Sequence, residues 1–293
     1  MLLHLLICCG ILIMSLQIAS LNSGSNGNCY YIGSDREAIL VDAGISCKET
    51  ETRMQRLGLD IKRVKAIFIS HEHSDHISGL RVLSKKYKLP VYITAATQSM
   101  CNLVLEKQLI RRFKADDAVA IGNLSVLAFQ KAHDAGDPHS FLVSCNAVRV
   151  GVFTDIGIAC NRVIHHFGQC HAAFLESNYD TDMLMKGNYP FHLKKRISDG
   201  RGHLSNVQAL ELFLNHRPSF MSHLVLSHLS KNNNHPDLVN QLFHPHADGA
   251  RIIVASRYKE SDVYEIVNRG NCITVNKSSL LTKAGRPTQL TLF

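Results

Sequence analysis

The sequence predicts a layered α/β fold with helices outside two packed sheets. Three observations carry this. Short runs of β-branched, aromatic and leucine residues recur with turn residues between them, amphipathic segments follow helix-start signals, and the strand-then-helix arrangement occurs twice in succession. In the first third the runs are SLQIASL, NCYYIGS, AILVDAG, VKAIFIS and PVYI. The loop Ser23-Gly24-Ser25-Asn26-Gly27-Asn28 joins the first two as a hairpin, its glycines supplying positive φ. Ser46 with Glu49 gives a capping-box signal for a helix across 47–57, and the stretch from Ile77 to Tyr87 suits a second helix. The middle continues with LSVLAFQKA, SFLVSC and AVRVGVFTD, a helix near 161–167, and HAAFLES. Pro190 marks a helix start, and Ser205 with Gln208 caps the amphipathic NVQALELFLNH. HLVLSH, RIIVAS and DVYEI complete the domain as strands.

A chain of 293 residues with 45% hydrophobic content can bury one substantial core, and no repeat or linker interrupts it before about residue 270. The net charge of +8 favours polyanions such as nucleic acid, although charge alone needs a motif beside it. The nine cysteines form no C-x-x-C pair and no framework spacing, which excludes a disulfide scaffold and reads as reduced thiols of a cytoplasmic protein. The first thirteen residues, MLLHLLICCGILI, are apolar but too short to span a bilayer, and no basic residue precedes the run. The expectation is that Met14 is the natural start. Residues 1–13 are then upstream sequence, 14–268 the catalytic domain and 269–293 a tail.

The segment with the most chemistry is His71-Glu72-His73-Ser74-Asp75-His76, placed directly after the buried-type strand AIFIS. In an extended loop His71 and His73 lie on one side by period-two geometry, while Asp75 and His76 can turn toward a second point. That spacing suits two metals. Such sites need further ligands from other strand ends, and His133, Asp155 and His228 each fall where a strand stops. His223 competes with His228, but only His228 lies at its strand's carboxyl end.

Together, H-x-H-x-D-H after a strand, the later His, Asp and His, and Asp42-Ala43-Gly44 resemble the metallo-β-lactamase superfamily. More narrowly, the 23–28 loop, HDAGDP at 133–138, TDIG at 154–157, ESNYD at 176–180 and GHLSN at 202–206 resemble the YycJ/WalJ family of nucleases, over about residues 14–266. Tyr179 departs from the pattern, where many relatives carry a histidine. The resemblance implies a four-layer αββα sandwich and two divalent ions. His71, His73 and His133 would hold one, Asp75, His76 and His228 the other, with Asp155 bridging and Asp42 orienting a ligand imidazole. The nitrogen and oxygen donors suit zinc and manganese alike, and the resemblance favours manganese.

Two close ions that acidify a shared water suit hydrolysis of a phosphodiester. His203, in a glycine-flanked loop before a capped helix, is expected to contact the phosphate or assist the leaving oxygen, with Ser205 and Asn206 of the same loop also at the substrate. Lys194, Lys195, Arg196 and Arg201 could track a phosphate backbone, as could Lys85, Lys86 and Lys88, although solvated faces explain such runs as well. The resulting expectation is a 5′-to-3′ DNA exonuclease of DNA repair. An RNA-processing nuclease, a thioester or lactone hydrolase, and a noncatalytic interaction protein are the alternatives, the last disfavoured because no ligand is lost. The final residues Gln289-Leu290-Thr291-Leu292-Phe293 resemble the short motif by which bacterial repair proteins dock on the DNA sliding clamp. Gln289, Leu290, Leu292 and Phe293 are the expected contacts, and Lys283-Ala284-Gly285-Arg286-Pro287 a tether before them.

Overall fold

The computed structural model of the chain describes residues 15–268 apart from residue 102, so the expected extension at 1–13 and the expected motif at 289–293 lie outside the described residues. Two seven-stranded sheets face each other. The first contains β1 (Ser15–Asn22), β2 (Cys29–Gly33), β3 (Ala38–Val41), β4 (Val64–Phe68), β5 (Val91–Tyr92) and β6 (Ile110–Arg111), in that order, with β14 (Tyr264–Val267) beyond β1. The second runs β7 (Ala118–Ile121), β8 (Leu124–Gln130), β9 (His139–Cys145), β10 (Val148–Phe153), β11 (Ala172–Glu176), β12 (His223–Ser227) and β13 (Arg251–Val254). Antiparallel pairing of β14 with β1 brings the end of the domain back to its beginning.

Alternation along the strands builds three cores and hence four layers. Val148, Val150 and Val152 of β10 join Leu16, Tyr30, Phe68, Phe141 and Phe174 between the sheets. Phe153 points the other way, into a core closed by α5 (Asn161–Phe167), α8 (Asn206–His216) and α9 (Pro236–Phe243). Leu21, Tyr31 and Leu40 face a third core with α1 (Cys47–Arg56) and α3 (Leu80–Tyr87). The remaining helices, α2 (Ser74–Ile77), α4 (Ala95–Met100), α6 (Thr181–Lys186) and α7 (Phe191–Ser198), decorate one rim or its flanks. No helix among the described residues is long and apolar enough to cross a membrane, and the six described cysteines are all free.

Local expectations divide informatively. The Ser205–Gln208 capping box forms in both directions, whereas Ser46 caps α1 but Glu49 directs its carboxylate to Arg53 at 2.6 Å instead of back to the cap. The helix expected from Ile77 to Tyr87 is two: Gly79 spends its N–H on the Ala43 carbonyl (2.8 Å), so the chain breaks at Ser78–Gly79 and the turn before it becomes α2. Asp75 and His76 therefore sit on a helical turn and not on an extended loop.

The sheets are clamped by aromatic contacts, among them Phe174 against Tyr30 at 4.8 Å between centroids and Phe68 against Phe141 at 5.7 Å. Replacing the fully buried Phe174 by alanine should destabilise the domain by ~3–5 kcal/mol, read from urea unfolding. A loss below ~1 kcal/mol would contradict a continuous core between the sheets.

Candidate metal centre

One rim of the sandwich collects the chemistry. β10, β11, β12 and β13 are mutually parallel, β8 runs with them because each is antiparallel to β9, and β3 and β4 are parallel in the other sheet. Their carboxyl ends deliver Asp42, His71, His133, Asp155, Glu176 and His228. Asp42, Asp155 and His228 adopt left-handed backbone at φ 61°, 52° and 58°, a costly conformation for non-glycine residues that turns each side chain sharply out of its strand.

The 71–76 segment is pinned from below. Asn28 N–H donates to the Asp75 carbonyl at 2.7 Å, Ala43 N–H to that of His76 at 2.8 Å, and Gly44 N–H to that of Asn28 at 2.9 Å. A side chain at Gly44 would collide with the Asp75 carbonyl, which is the physical reason for glycine there. Asn28 reaches further, its Nδ2 lying 3.1 Å from both Asp75 Oδ2 and His76 Nε2.

Donor atoms fall into groups lying within 4.8 Å of one another: His71, His73 and His133; Asp75, His76 and His228; His71, His76 and Asp155; and Asp155 with Glu176, His203 and His228. The structure thus brings together every residue of the expected metal set and leaves out His223, whose ring packs 5.6 Å from Tyr264. Four imidazoles anchor through Nδ1: His71 to Ser70 Oγ (2.9 Å), His76 to Asp42 (2.7 Å), His133 to the Gly202 carbonyl (2.9 Å) and His228 to Glu176 (2.9 Å). Nε2 is thereby left for the interior of the site in each. Asp42 also accepts from Ser70 N and Oγ, both at 2.8 Å, tying it to two of the anchored rings.

Glu176 is one of two residues that sequence reasoning missed. Fully buried, it accepts from Ile156 N (2.7 Å) and Leu204 N (3.2 Å), and its other oxygen meets His203 Nδ1 at 2.8 Å and His228 Nδ1 at 2.9 Å. The rule that selected Asp155, a carboxylate where an apolar strand stops, applies to it equally. Lys131 was missed too; buried after β8, it donates Nζ to the Thr154 carbonyl at 2.6 Å beneath Asp155. Two of the residues expected at the substrate are engaged within the protein. Ser205 caps α8, and Asn206 is buried with its amide shared between Ser177 and Asn234, so neither lines the cleft. His203 does, together with Asp155, His228, Ser25, Tyr189 and Arg196. Tyr179 is buried and pairs through its backbone with Ser205.

Electrostatics split the site. Burial lowers His71 well below the ordinary imidazole range and His133 to about 4, so both are neutral near pH 7. Burial also opposes the charge on His76 and His228, but Asp155 and neighbouring carboxylates outweigh it, raising His76 well above that range and His228 to about 10. Burial would raise Glu176, yet His203 and His228 bring it down to about 2. The donors fit divalent cations on a direct observation: Asp155 Oδ2 is buried without a hydrogen-bond partner, its near neighbour being His76 Nε2 at 3.1 Å. A carboxylate buried this deeply is costly, and a cation that displaced the His76 proton would take over the charge pairing that the imidazolium gives Oδ2.

Residues 23–182 match the family described as the metallo-beta-lactamase superfamily. The chain is 36% identical over 230 residues, 77% of its length and 86% of the relative's, to the exodeoxyribonuclease YycJ of Bacillus anthracis. It is 32% identical over 232 residues, 76% of its length and 86% of the relative's, to the exodeoxyribonuclease WalJ of Streptococcus pneumoniae. Its backbone is similar to the metallo-beta-lactamase fold protein YhfI from Bacillus subtilis, with a TM-score of 0.65 at 15% identity, covering 86% of this chain and 99% of that one. The chain belongs to the metallo-β-lactamase superfamily and, within it, to the family that contains YycJ and WalJ. That fold family implies divalent metal ions, consistent with the donor groups on the rim.

Metal uptake should release protons, because His76 and His228 carry raised pKa values and must lose a proton to become ligands. Below about pH 10 the His228 proton competes with metal, so affinity should rise with pH, while His71 and His133 impose no such cost near neutrality. Calorimetric titration with Mn²⁺ at pH 8 in two buffers of different ionisation enthalpy reads the release directly. Identical heats in both buffers would contradict this protonation pattern.

Proposed function

We propose that the chain is a two-metal phosphodiesterase that degrades DNA from a 5′ end in the cytoplasm, in the service of DNA repair. The observation that carries the reading is the sharing of donors. Asp155 belongs to the group with His71 and His76 and to the group with His228, so one carboxylate stands between two ligand sets. In this reading His71, His73 and His133 hold one ion, Asp75, His76 and His228 the other, and Asp155 bridges. Divalent ions there, manganese in preference to zinc, would supply Lewis acidity that acidifies water and offsets charge on phosphate oxygens. DNA is favoured over RNA by the exodeoxyribonuclease names of the two relatives that span most of the chain.

The chain's own groups do the rest. Asp42 and Glu176 fix His76 and His228 in the orientation that presents Nε2. Glu176 also holds His203 by Nδ1, which leaves its Nε2 as the nitrogen able to hold or deliver a proton at the leaving oxygen. Arg196, ion-paired to Asp134 beside His133, lines the same cleft and can meet a substrate phosphate.

Two variants separate these roles. Asp75→Ala should abolish hydrolysis of 5′-labelled DNA and lower metal content toward one ion per chain, measured by mass spectrometry of the metal. His203→Ala should slow turnover by ~10²–10⁴-fold while retaining the metal of the wild type. Near-normal turnover of Asp75→Ala on both DNA and RNA would refute the two-metal assignment.

The reading extends to a partner. We propose that Gln289, Leu290, Leu292 and Phe293, which lie outside the described residues, dock on the DNA sliding clamp, the apolar side chains acting as the few anchors on which such affinity rests. Deleting residues 289–293 should abolish clamp binding in fluorescence anisotropy and leave hydrolysis of free oligonucleotides intact. Equal clamp affinity with and without the five residues would overturn the partner assignment.

A further inference from the structure

The rim continues past the metal centre. β12 and β13 are parallel neighbours, and the loops leaving their carboxyl ends, 228–235 and 255–260, enclose a second cleft of about 480 Å³. It joins the first directly: Ser230 lines both, and Ser25, on the wall of the catalytic cleft, accepts a hydrogen bond from Arg257 Nη2 at 3.2 Å. The chemistry changes along the way. The catalytic cleft carries Asp75, Asp134 and Asp155, whereas the second has Lys231, Arg257 and Lys259 and no acidic residue among those lining it.

No carboxylate among the described residues neutralises these cations. Lys231, Arg257 and Lys259 form no ion pair among the described residues, and Arg257 Nη1 is buried without a hydrogen-bond partner. The run noted near residue 85 differs in this respect, since Lys86 is bound to Glu51 at 2.7 Å and Lys88 to Glu106 at 3.2 Å. Tyr258 stands on the lip with 73% of its surface exposed, while its backbone is held, its N–H by Ser256 Oγ at 3.0 Å and its carbonyl by Arg53 at 3.3 Å. A fixed backbone presenting a solvent-facing ring beside unpaired cations is the arrangement that binds a polynucleotide strand, bases on the ring and phosphates on the cations.

We propose that this cleft binds a single strand of the substrate as it leaves the metal centre, with phosphates on Lys231, Arg257 and Lys259 and one base stacked on Tyr258. Its size is that of a small-molecule pocket, which admits a nucleotide and not a duplex. The inference rests on the nuclease reading but is tested apart from it, by anisotropy with a fluorescent oligothymidylate of about twelve nucleotides whose phosphorothioate linkages resist cleavage. Lys231→Glu with Lys259→Glu should weaken binding at least ~10-fold and reduce the salt slope by about 1.4, at about 0.7 per phosphate contact on a single strand. Tyr258→Ala should weaken binding roughly 5- to 100-fold, the worth of one stacked base, and leave the salt slope unchanged. Lys48→Glu with Lys65→Glu, an equal change of charge on α1 and on the amino end of β4, should leave affinity within about twofold of the wild type. Equal weakening by the two charge-reversed pairs, or wild-type affinity in the cleft variants, would overturn the cleft assignment while leaving the nuclease reading standing. A wild-type protein that neither binds this strand nor cuts unmodified DNA would defeat both.

Discussion

The structure turns on buried negative charge. Asp42, Asp155 and Glu176 are all within 1% of complete burial at one rim of the sandwich, where an isolated carboxylate costs several kcal/mol. Much of the local architecture answers that cost. Ser70, two backbone amides of the 156 and 204 positions, Lys131 beneath and the imidazoles of His76, His203 and His228 all direct donors or positive charge at the three carboxylates. One oxygen of Asp155 accepts no hydrogen bond and has His76 Nε2 as its near neighbour, at 3.1 Å. The metal reading follows from that residue more than from any count of histidines.

The same constraint explains why the candidate ligands gather at one rim. Parallel strands stop together, so a single rim receives side chains separated by more than 150 residues in sequence, as Asp75 and His228 show by approaching to 3.3 Å. The left-handed backbone at Asp42, Asp155 and His228 is tolerated because the flanking strands are buried on both faces and hold each turn in place. Rigidity of this kind holds donors at metal-binding distances before any ion arrives.

Much of this was legible in the sequence, for a physical reason. Period-two apolar runs and capping residues are local signals, and they marked the strands that form the rim as well as α1, α5 and α8. A strand end bearing a His or Asp is also visible locally, which is how His133, Asp155 and His228 were found. Sequence reasoning passes over Glu176 because ESNYD is weighed only as a motif, although HAAFLES is read as a strand that ends at it, and over Lys131 because a buried lysine leaves no mark on hydropathy. Ser205 and Asn206 were placed at the substrate on loop position alone, whereas their side chains are consumed by α8 and the Ser177–Asn234 network. The helices α4 and α6 are only 6 residues each, too short for a periodic pattern to separate from turns, whereas α9 carries a readable start signal in Pro236 that sequence reasoning leaves unused. Basic runs proved the least informative signal, because pairing with distant acids, as at Lys86 and Glu51, has no sequence signature.

The central claim is that one carboxylate stands between two ligand sets, and crystallography of the manganese-loaded protein tests it most directly. Anomalous difference maps recorded near the manganese edge should show two peaks per chain, one among His71, His73 and His133, the other among Asp75, His76 and His228, with Asp155 between them. A single peak, or a second one away from Asp155, would contradict the account.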